Sequence, residues 1–171
     1  MRVITFSRYF PKSHPRSGEP TFFVEQILNS VMPKQVNGIV DRNILKREVL
    51  DIINDFVLLD GKQKKGHTIR AGNRWKVGDT FSPRVWSGKP YRSKQIEFAS
   101  PITIKKIWSF ESYGLTTLIN DMPINHLTYS ELAKNDGLNS TELHDWIFCH
   151  PKAVRTGFKG QIICWDKNIE Y

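Results

Sequence analysis

The stretch GKQKKGHTIRAGNRWKVGD, residues 61–79, marks the point where the sequence changes from helix-like to strand-like periodicity. Before it, apolar residues recur every three to four positions, whereas short alternating segments separated by Gly-Asn and Gly-Asp dipeptides follow it. The same stretch brings several cations close to a tryptophan. We therefore expect these residues both to open the strand-rich part of the fold and to meet a ligand.

The positive charge of the chain is concentrated in this region. Residues 61–106 contain twelve Lys and Arg against two Asp and Glu, whereas the whole chain has a formal net charge of +8. A local excess of this size is typical of a surface that binds phosphate or another polyanion. The alternative is a solvated face of a basic protein.

The chain has 171 residues, which is enough for one domain with its own core, and we predict a single domain over residues 1–171. No apolar run approaches the length of a membrane span, so we expect a cytoplasmic protein with no membrane partner. Cys149 and Cys164 have apolar neighbours, which indicates buried reduced thiols. The His and Cys spacing fits no zinc pattern, and we expect no metal and no cofactor.

Periodicity and turn residues predict the elements of an α+β protein. We expect a first strand over Val3–Phe10, and we expect helices near residues 22–32, 43–58, 129–135 and 140–148. The predicted later strands are His67–Arg70, Thr80–Trp86, Lys94–Ala99, Ile102–Phe110 and Gly160–Trp165, the last returning beside the first. Residues 62–110 and 158–166 would then supply most of a small mixed β-barrel.

Several separated segments resemble the ASCH domains, a branch of the PUA-like β-barrel superfamily that is associated with RNA and modified nucleosides. They are Ile4-Thr-Phe with Phe10, Lys65 with Thr68-Ile-Arg70, Gly78-Asp79, Leu132-Ala133 through Asp136-Gly-Leu138 with Glu142-Leu143, and Phe158–Trp165. The resemblance implies a PUA-like mixed β-barrel with peripheral helices. Residues 11–55 have no counterpart in the smallest family members, so we expect them to form a helical pair inserted into the barrel.

Within that family the chain resembles the bacterial acetylcytidine amidohydrolases, which remove an acyl group from the exocyclic nitrogen of cytidine. The resemblance places their lysine on Lys65, their threonine on Thr68, their arginine on Arg70 and their acidic residue on Asp136. It implies that Lys65, Thr68 and Asp136 are catalytic, with Arg70 binding the substrate or orienting the carboxylate. The family acid is Glu, so Asp136 is one methylene shorter, and Gly66 and His67 stand where the family has Thr and a β-branched residue.

Each of these residues also has a structural explanation. Lys65 belongs to a run of lysines that could lie on the surface, and Thr68 could be an ordinary strand threonine. Asp136 stands before a glycine, as is common where a helix ends. Strand alternation points His67 away from Thr68, and we expect His67 to face outward or to be packed.

Aromatic residues alternate with cations downstream, a mixture that proteins use to stack bases while neutralising phosphates. The candidate substrate-binding residues are Arg70, Arg74, Trp75, Lys76, Trp86 and Arg92. Trp75 is expected to be the most exposed ring, and residues 86–90 are expected to form a hairpin tip. Core packing is the alternative for each ring.

The predicted function is binding of RNA or a modified nucleoside, with a hydrolytic pocket that acts on an acylated cytidine. A non-catalytic reader of RNA or modified bases and a metal-independent ribonuclease are the alternatives. The sequence does not indicate any protein partner.

Overall fold

The computed structural model describes residues 1–32, 40–54 and 63–171. Two compact units are formed. Unit 1 comprises Met1–Pro11, Arg16–Lys65 and Thr80–Thr103, and unit 2 comprises Lys12–Pro15, Gly66–Asp79 and Ile104–Tyr171. The strands are β1 Arg2–Thr5, β2 His67–Ala71, β3 Thr80–Trp86, β4 Gln95–Glu97, β5 Ile102–Thr103, β6 Lys106–Tyr113, β7 Thr116–Ile119, β8 Met122–Pro123 and β9 Phe158–Cys164. The helices are α1 Phe23–Val31, α2 Arg47–Leu50, α3 His126–Asn135, α4 Ser140–Phe148 and α5 Pro151–Thr156, with a 3-10 turn at Arg42–Ile44.

The sheet of unit 1 is built around β3. This strand pairs in parallel with β1 and antiparallel with β4 and β5. Phe81 and Val85 of β3 are fully buried, and Phe6 lies 6.5 Å from Phe81 and 6.0 Å from Phe98 between ring centroids. Large rings at these spacings fill the core of unit 1.

Helix α1 is buried around most of its circumference. Ile27 and Leu28 are inaccessible to solvent, and three polar side chains on the same helix, Glu25, Gln26 and Asn29, are also buried. Buried polar groups need hydrogen-bond partners. Gln26 donates to the carbonyl of Thr21, and Asn29 donates to the carbonyl of Gln63. The Asn29 bond holds the chain just before Lys65 against the helix.

The sheet of unit 2 is antiparallel, in the order β2-β9-β6-β7-β8. Residues 161–164 of the central strand β9 are all buried, as expected for a strand with a neighbour on each side. In β6 the buried residues Trp108, Phe110 and Ser112 alternate with more exposed ones. One face of this strand therefore packs inward and the other faces solvent.

The helices of unit 2 begin and end at polar capping residues. Asn125 caps α3 by accepting from the Thr128 N–H, so that helix starts earlier than the predicted start at residue 129. Asn139 and Glu142 form a capping box at the start of α4, the helix that the sequence predicts near residues 140–148. Between the two helices, Gly137 has a φ of +80°, a conformation that glycine adopts without strain. This turn ends α3 at the position of Asp136.

The structure confirms an α+β fold with strands His67–Ala71 and Thr80–Trp86 where the sequence predicted them. The pairings of the described residues form two sheets, neither of which closes on itself, so the barrel stays a prediction. Strand β9 pairs with β2 and β6, whereas β1 pairs with β3, so the predicted return of the last strand beside the first is wrong. The reason is that β9 finds partners on both sides within its own unit.

The predicted helix over residues 43–58 is broken where it is described. A 3-10 turn ends at Ile44, α2 covers only Arg47–Leu50, and residues 55–58 lie outside the described part of the chain. Ile52 and Ile53, which also fall within the predicted helix, lie in a turn after α2.

No helix in the described ranges has both the length and the apolar character required to cross a membrane.

Candidate functional site

Lys65 is buried in unit 1. Its side chain is 1% exposed, and its ammonium lies 4.2 Å from the centroid of the Phe23 ring. The main-chain N–H of Lys65 donates to the carbonyl of Gln26 at 3.1 Å, which anchors the residue to α1. Lys64, the preceding residue, is exposed. The surface-run alternative therefore does not apply to Lys65.

Asp136 is buried in unit 2, at the C-terminal end of α3. Its Oδ1 lies 3.5 Å from Nδ1 of His67, whose side chain is fully buried. A buried carboxylate is costly unless polar or charged partners surround it. His67 is one such partner, and its burial agrees with the expectation that it is packed.

A tyrosine and an asparagine complete the polar cluster around His67. The hydroxyl of Tyr171 lies 2.7 Å from Nε2 of His67 and accepts a hydrogen bond from the amide of Asn135 at 3.0 Å. The Tyr171 ring also packs edge-on against Trp108, with 5.1 Å between centroids. Burial raises the pKa of Tyr171, so the phenol remains protonated.

Sequence reasoning did not find Tyr171 or Asn135 as members of this cluster. Asn135 stands beside the predicted acid at a helix end, where neighbouring residues do not indicate a distant partner, and Tyr171 lies 104 residues after its partner His67. A second tyrosine, Tyr129 of α3, is held near the same carboxylate. Burial and the negative charge of Asp136 raise the pKa of Tyr129 to about 12.

Thr68 and Arg70 lie on β2, two residues apart, so their side chains leave the same face of the strand. Thr68 is buried, and Arg70 is half-buried. Burial lowers the pKa of Arg70, and the carboxylate of Asp136 acts in the opposite direction. Arg70 therefore lies close enough to Asp136 for their charges to interact. The convergence of Lys65 with Thr68 and Asp136 stays a prediction.

The structure corrects the expectation that Trp75 is the most exposed aromatic ring. Its side chain is only 4% exposed, and the amide of Gln161 on β9 bonds both its main-chain N–H and its carbonyl, each at 3.1 Å. A ring enclosed in this way has no face to offer to a base. The predicted stacking role of Trp75 is therefore wrong, although the flanking Arg74 and Lys76 are exposed as a phosphate-binding pair would be.

The predicted hairpin tip after Trp86 is present, between β3 and β4 of unit 1. The ring of Trp86 is half-exposed and lies 5.4 Å from the ring of Tyr91, which is 88% exposed. Tyr91 has a φ of +62°, an unusual conformation for a bulky residue. Arg92 follows it in the same exposed turn. The tip thus presents two rings next to a cation.

Within the described residues, no group of three or more His, Cys, Asp and Glu side chains is placed to hold a metal ion. Both cysteines are free thiols, and Cys164 is buried whereas Cys149 is partly exposed. Burial raises the pKa of Cys164 to about 11, which keeps this thiol protonated.

Comparisons of the chain with protein-family models, with curated proteins and with solved structures find no match.

Proposed function

We propose that the protein binds RNA or a nucleoside and hydrolyses an acyl group from the exocyclic amine of a cytosine. The burial of Lys65 carries the proposal. Among the lysines that the structure describes, it is the only buried one, although it follows an exposed lysine directly. Burying an ammonium is unfavourable, and a desolvated lysine is a typical general base.

The proposed chemistry uses the hydroxyl of Thr68 as the nucleophile. A general base takes the hydroxyl proton while the oxygen attacks the acyl carbonyl, and the resemblance implies Lys65 for that role. The carbon–nitrogen bond then breaks, the departing cytosine amine takes the proton from the base, and the acyl group remains as an ester on Thr68. Water hydrolyses this ester to release the carboxylic acid and restore the hydroxyl. The placement of Thr68 on β2, on the same face as Arg70, supports this role.

In this proposal Asp136 and Arg70 act on the substrate side of the reaction. The Asp136 carboxylate accepts a hydrogen bond from the cytosine amine, and Arg70 holds that carboxylate in position. The electrostatic coupling between Arg70 and Asp136 within unit 2 supports this assignment. His67 supports the same carboxylate from a second direction.

The same proposal covers the architecture. The chain would be one ASCH-like domain with a PUA-like barrel, with residues 11–55 inserted, and it would act in the cytoplasm. The order of the Lys65, Thr68, Arg70 and Asp136 segments along the chain supports it.

The test is a deacylation assay on N4-acetylcytidine with the wild type, Lys65→Met and Thr68→Val. Methionine keeps most of the buried volume of lysine without its amine, and valine keeps the shape of threonine without its hydroxyl. We expect each variant to lose at least about a hundredfold in kcat/KM. Lys64→Met is the matched control, because Lys64 is adjacent and exposed, and it should deacylate at the wild-type rate.

Full activity in Lys65→Met would contradict the proposed mechanism. A wild type that binds RNA but deacylates nothing would instead favour the reader. The aromatic pair Trp86 and Tyr91 is the observation that favours this second function, because two neighbouring exposed rings at a hairpin tip can stack bases without any chemistry.

A further inference from the structure

Unit 1 contains a cavity of about 290 Å³ that the proposed chemistry does not use. Its volume lies near the lower end for small-molecule sites, which suits a single ring system better than a polymer. The lining residues come from the segment after β1, the start of α1 and the turn after α2: Arg8, Tyr9, Pro20, Phe22, Phe23, Val24, Glu25, Ile52, Ile53 and Asn54.

The cavity wall includes a buried carboxylate. Glu25 is 5% exposed, and its Oε1 accepts a hydrogen bond from the main-chain N–H of Asn54 at 2.6 Å. Its own main-chain N–H is the second donor that lowers its pKa, yet burial is the larger effect, and the pKa of Glu25 is raised. A carboxylate can accept about four hydrogen bonds. These two donors therefore leave acceptor capacity for a ligand in the cavity.

The other walls are flat and apolar. The rings of Tyr9, Phe22 and Phe23 line the cavity together with Ile52. Phe22 has a φ of +56°, which is unfavourable for a bulky side chain and is held in place by the surrounding structure. Such strained residues are concentrated at ligand sites. Aromatic walls around one buried acceptor are suited to a planar heterocycle.

Arg8 adds a cation to the same cavity. It donates to the carbonyls of Ile52 and Ser87, and its charge lowers the pKa of Glu25. In this wall the Glu25 carboxylate can accept a hydrogen bond and the Arg8 guanidinium can donate one. This pair matches a base that has an amino group next to an acceptor atom of its ring. Such an edge is found on cytosine and adenine, whereas uracil and hypoxanthine have a carbonyl in place of the amine.

We propose that this cavity binds one nucleobase that carries an amino group, which donates a hydrogen bond to Glu25. The inference rests on the proposed function for its ligand class, the nucleobases, and it assigns to Glu25 on α1 the recognition of a base other than the one that Asp136 contacts. The cavity adjoins Lys65, because the ring of Phe23 lines the cavity and also lies against the ammonium of Lys65.

The experiment is isothermal titration of the full chain with two matched pairs of nucleosides, cytidine with uridine and adenosine with inosine. We expect the amino member of at least one pair to bind at least about tenfold more tightly than its oxo partner, because that member alone can donate to Glu25. Glu25→Gln replaces an acceptor oxygen with a donor amide of the same shape. It should therefore abolish or invert this preference. Glu48→Gln, a change of an exposed glutamate in the same unit, should preserve it.

The outcomes separate the two proposals. If neither pair shows a preference, or if Glu25→Gln keeps it, the pocket assignment is wrong even where deacylation of N4-acetylcytidine is intact. If the preference depends on Glu25 but the wild type deacylates nothing, the pocket stands and the hydrolytic function is wrong. Circular dichroism and thermal melting of Glu25→Gln show whether a lost preference arises from misfolding. If that variant is misfolded, Arg8→Gln replaces it as the test, and a preference that survives Arg8→Gln shows that the pocket assignment is wrong.

Discussion

Glu25 is buried at a position where its charged form is disfavoured. Burial raises its pKa above the ordinary value of 4.5. The folded protein therefore retains a proton over a pH range in which the unfolded chain has already released it. The contribution of this proton to stability is fully present below about pH 4.5 and is lost as the pH rises through the raised pKa of the folded state.

We predict that Glu25→Gln removes this part of the pH dependence. A neutral glutamine does not ionise, and its carbonyl can still accept from Asn54. The free energy of unfolding of the variant should equal that of the wild type below the ordinary pKa of 4.5 and exceed it increasingly as the pH rises, until the pH passes the raised pKa of folded Glu25. Each pH unit over which only the folded state keeps the proton changes the difference by about 1.4 kcal/mol. Denaturant unfolding across this pH range measures the difference.

The exposed Glu48 provides the control, because its pKa is lowered by Lys94 and shifts stability with pH in the opposite direction. Glu48→Gln should therefore destabilise slightly above its pKa. A pH-independent difference between wild type and Glu25→Gln would show that Glu25 is not held in a charge-disfavouring site.

At the level of single residues, the sequence indicated which residue types are present but not which side chains are buried. The sequence singled out Lys65 only through its resemblance to a family, because Lys64 and Lys65 are adjacent and have nearly the same neighbours. In the structure Lys64 is exposed, whereas Lys65 is buried and bonded to α1. The sequence misjudged Trp75, because the partner that encloses its backbone, Gln161, is 86 residues away. Contacts of that separation leave no signal in local periodicity.

Among the strands, β9 is the one on which the candidate site of unit 2 depends, because it supports β2 along its whole length. Gly160 of β9 lies opposite Ala71, and a Cβ at Gly160 would lie well inside contact distance of the main-chain carbonyl of Arg70. A main-chain atom within a paired strand cannot rotate away. Glycine is therefore required where the backbones of β2 and β9 approach each other.

We predict that Gly160→Ala lowers the free energy of unfolding by about 1–3 kcal/mol or more, because it forces β2 and β9 apart next to Arg70. Thermal and denaturant unfolding measure the loss. Gly88→Ala is the matched control. A Cβ at Gly88 meets Ser93 at 3.5 Å, an ordinary contact, so that variant should unfold within about 0.5 kcal/mol of the wild type. Equal stabilities would mean that the two strands can separate freely at this point.

The elements with strong local signals were predicted, and those defined by long-range packing were not. The capping box at Asn139 and the alternating strand Thr80–Trp86 follow from neighbouring residues. The short strands β7 and β8 were missed, because four-residue and two-residue strands have too few positions to show a period. The predicted strand Ile102–Phe110 is divided between β5 and β6, which belong to different sheets.

At the scale of the whole molecule, the dominant property is a net charge of +8, and residues 61–106 contain twelve Lys and Arg against two Asp and Glu. Three cations of that region, Arg74, Lys76 and Arg92, are exposed in the structure. Arg74 and Lys76 belong to unit 2, and Arg92 belongs to unit 1. Exposed cations near a polyanion act mainly by releasing condensed counterions, so their contribution appears in the salt dependence of binding.

We predict that Arg74→Gln with Lys76→Gln, and separately Arg92→Gln, weaken binding of single-stranded RNA irrespective of its sequence. Each phosphate contact that is lost should reduce the slope of log K against log salt by about one unit. Fluorescence anisotropy with oligo(U) and oligo(C) RNAs of roughly 12 nucleotides, within the range of known single-strand sites, measures both effects over a salt series.

Lys152→Gln is the matched control, since it removes one exposed lysine from α5, outside the basic region, and should leave the slope unchanged. A reduced slope in both the unit 2 double variant and the unit 1 single variant would mean that RNA contacts both units. A reduction in only one of them would assign the phosphate contacts to that unit alone. Affinity that depends neither on salt nor on any of these cations would contradict RNA binding by the basic region, and would leave the neutral nucleosides as the ligands to pursue.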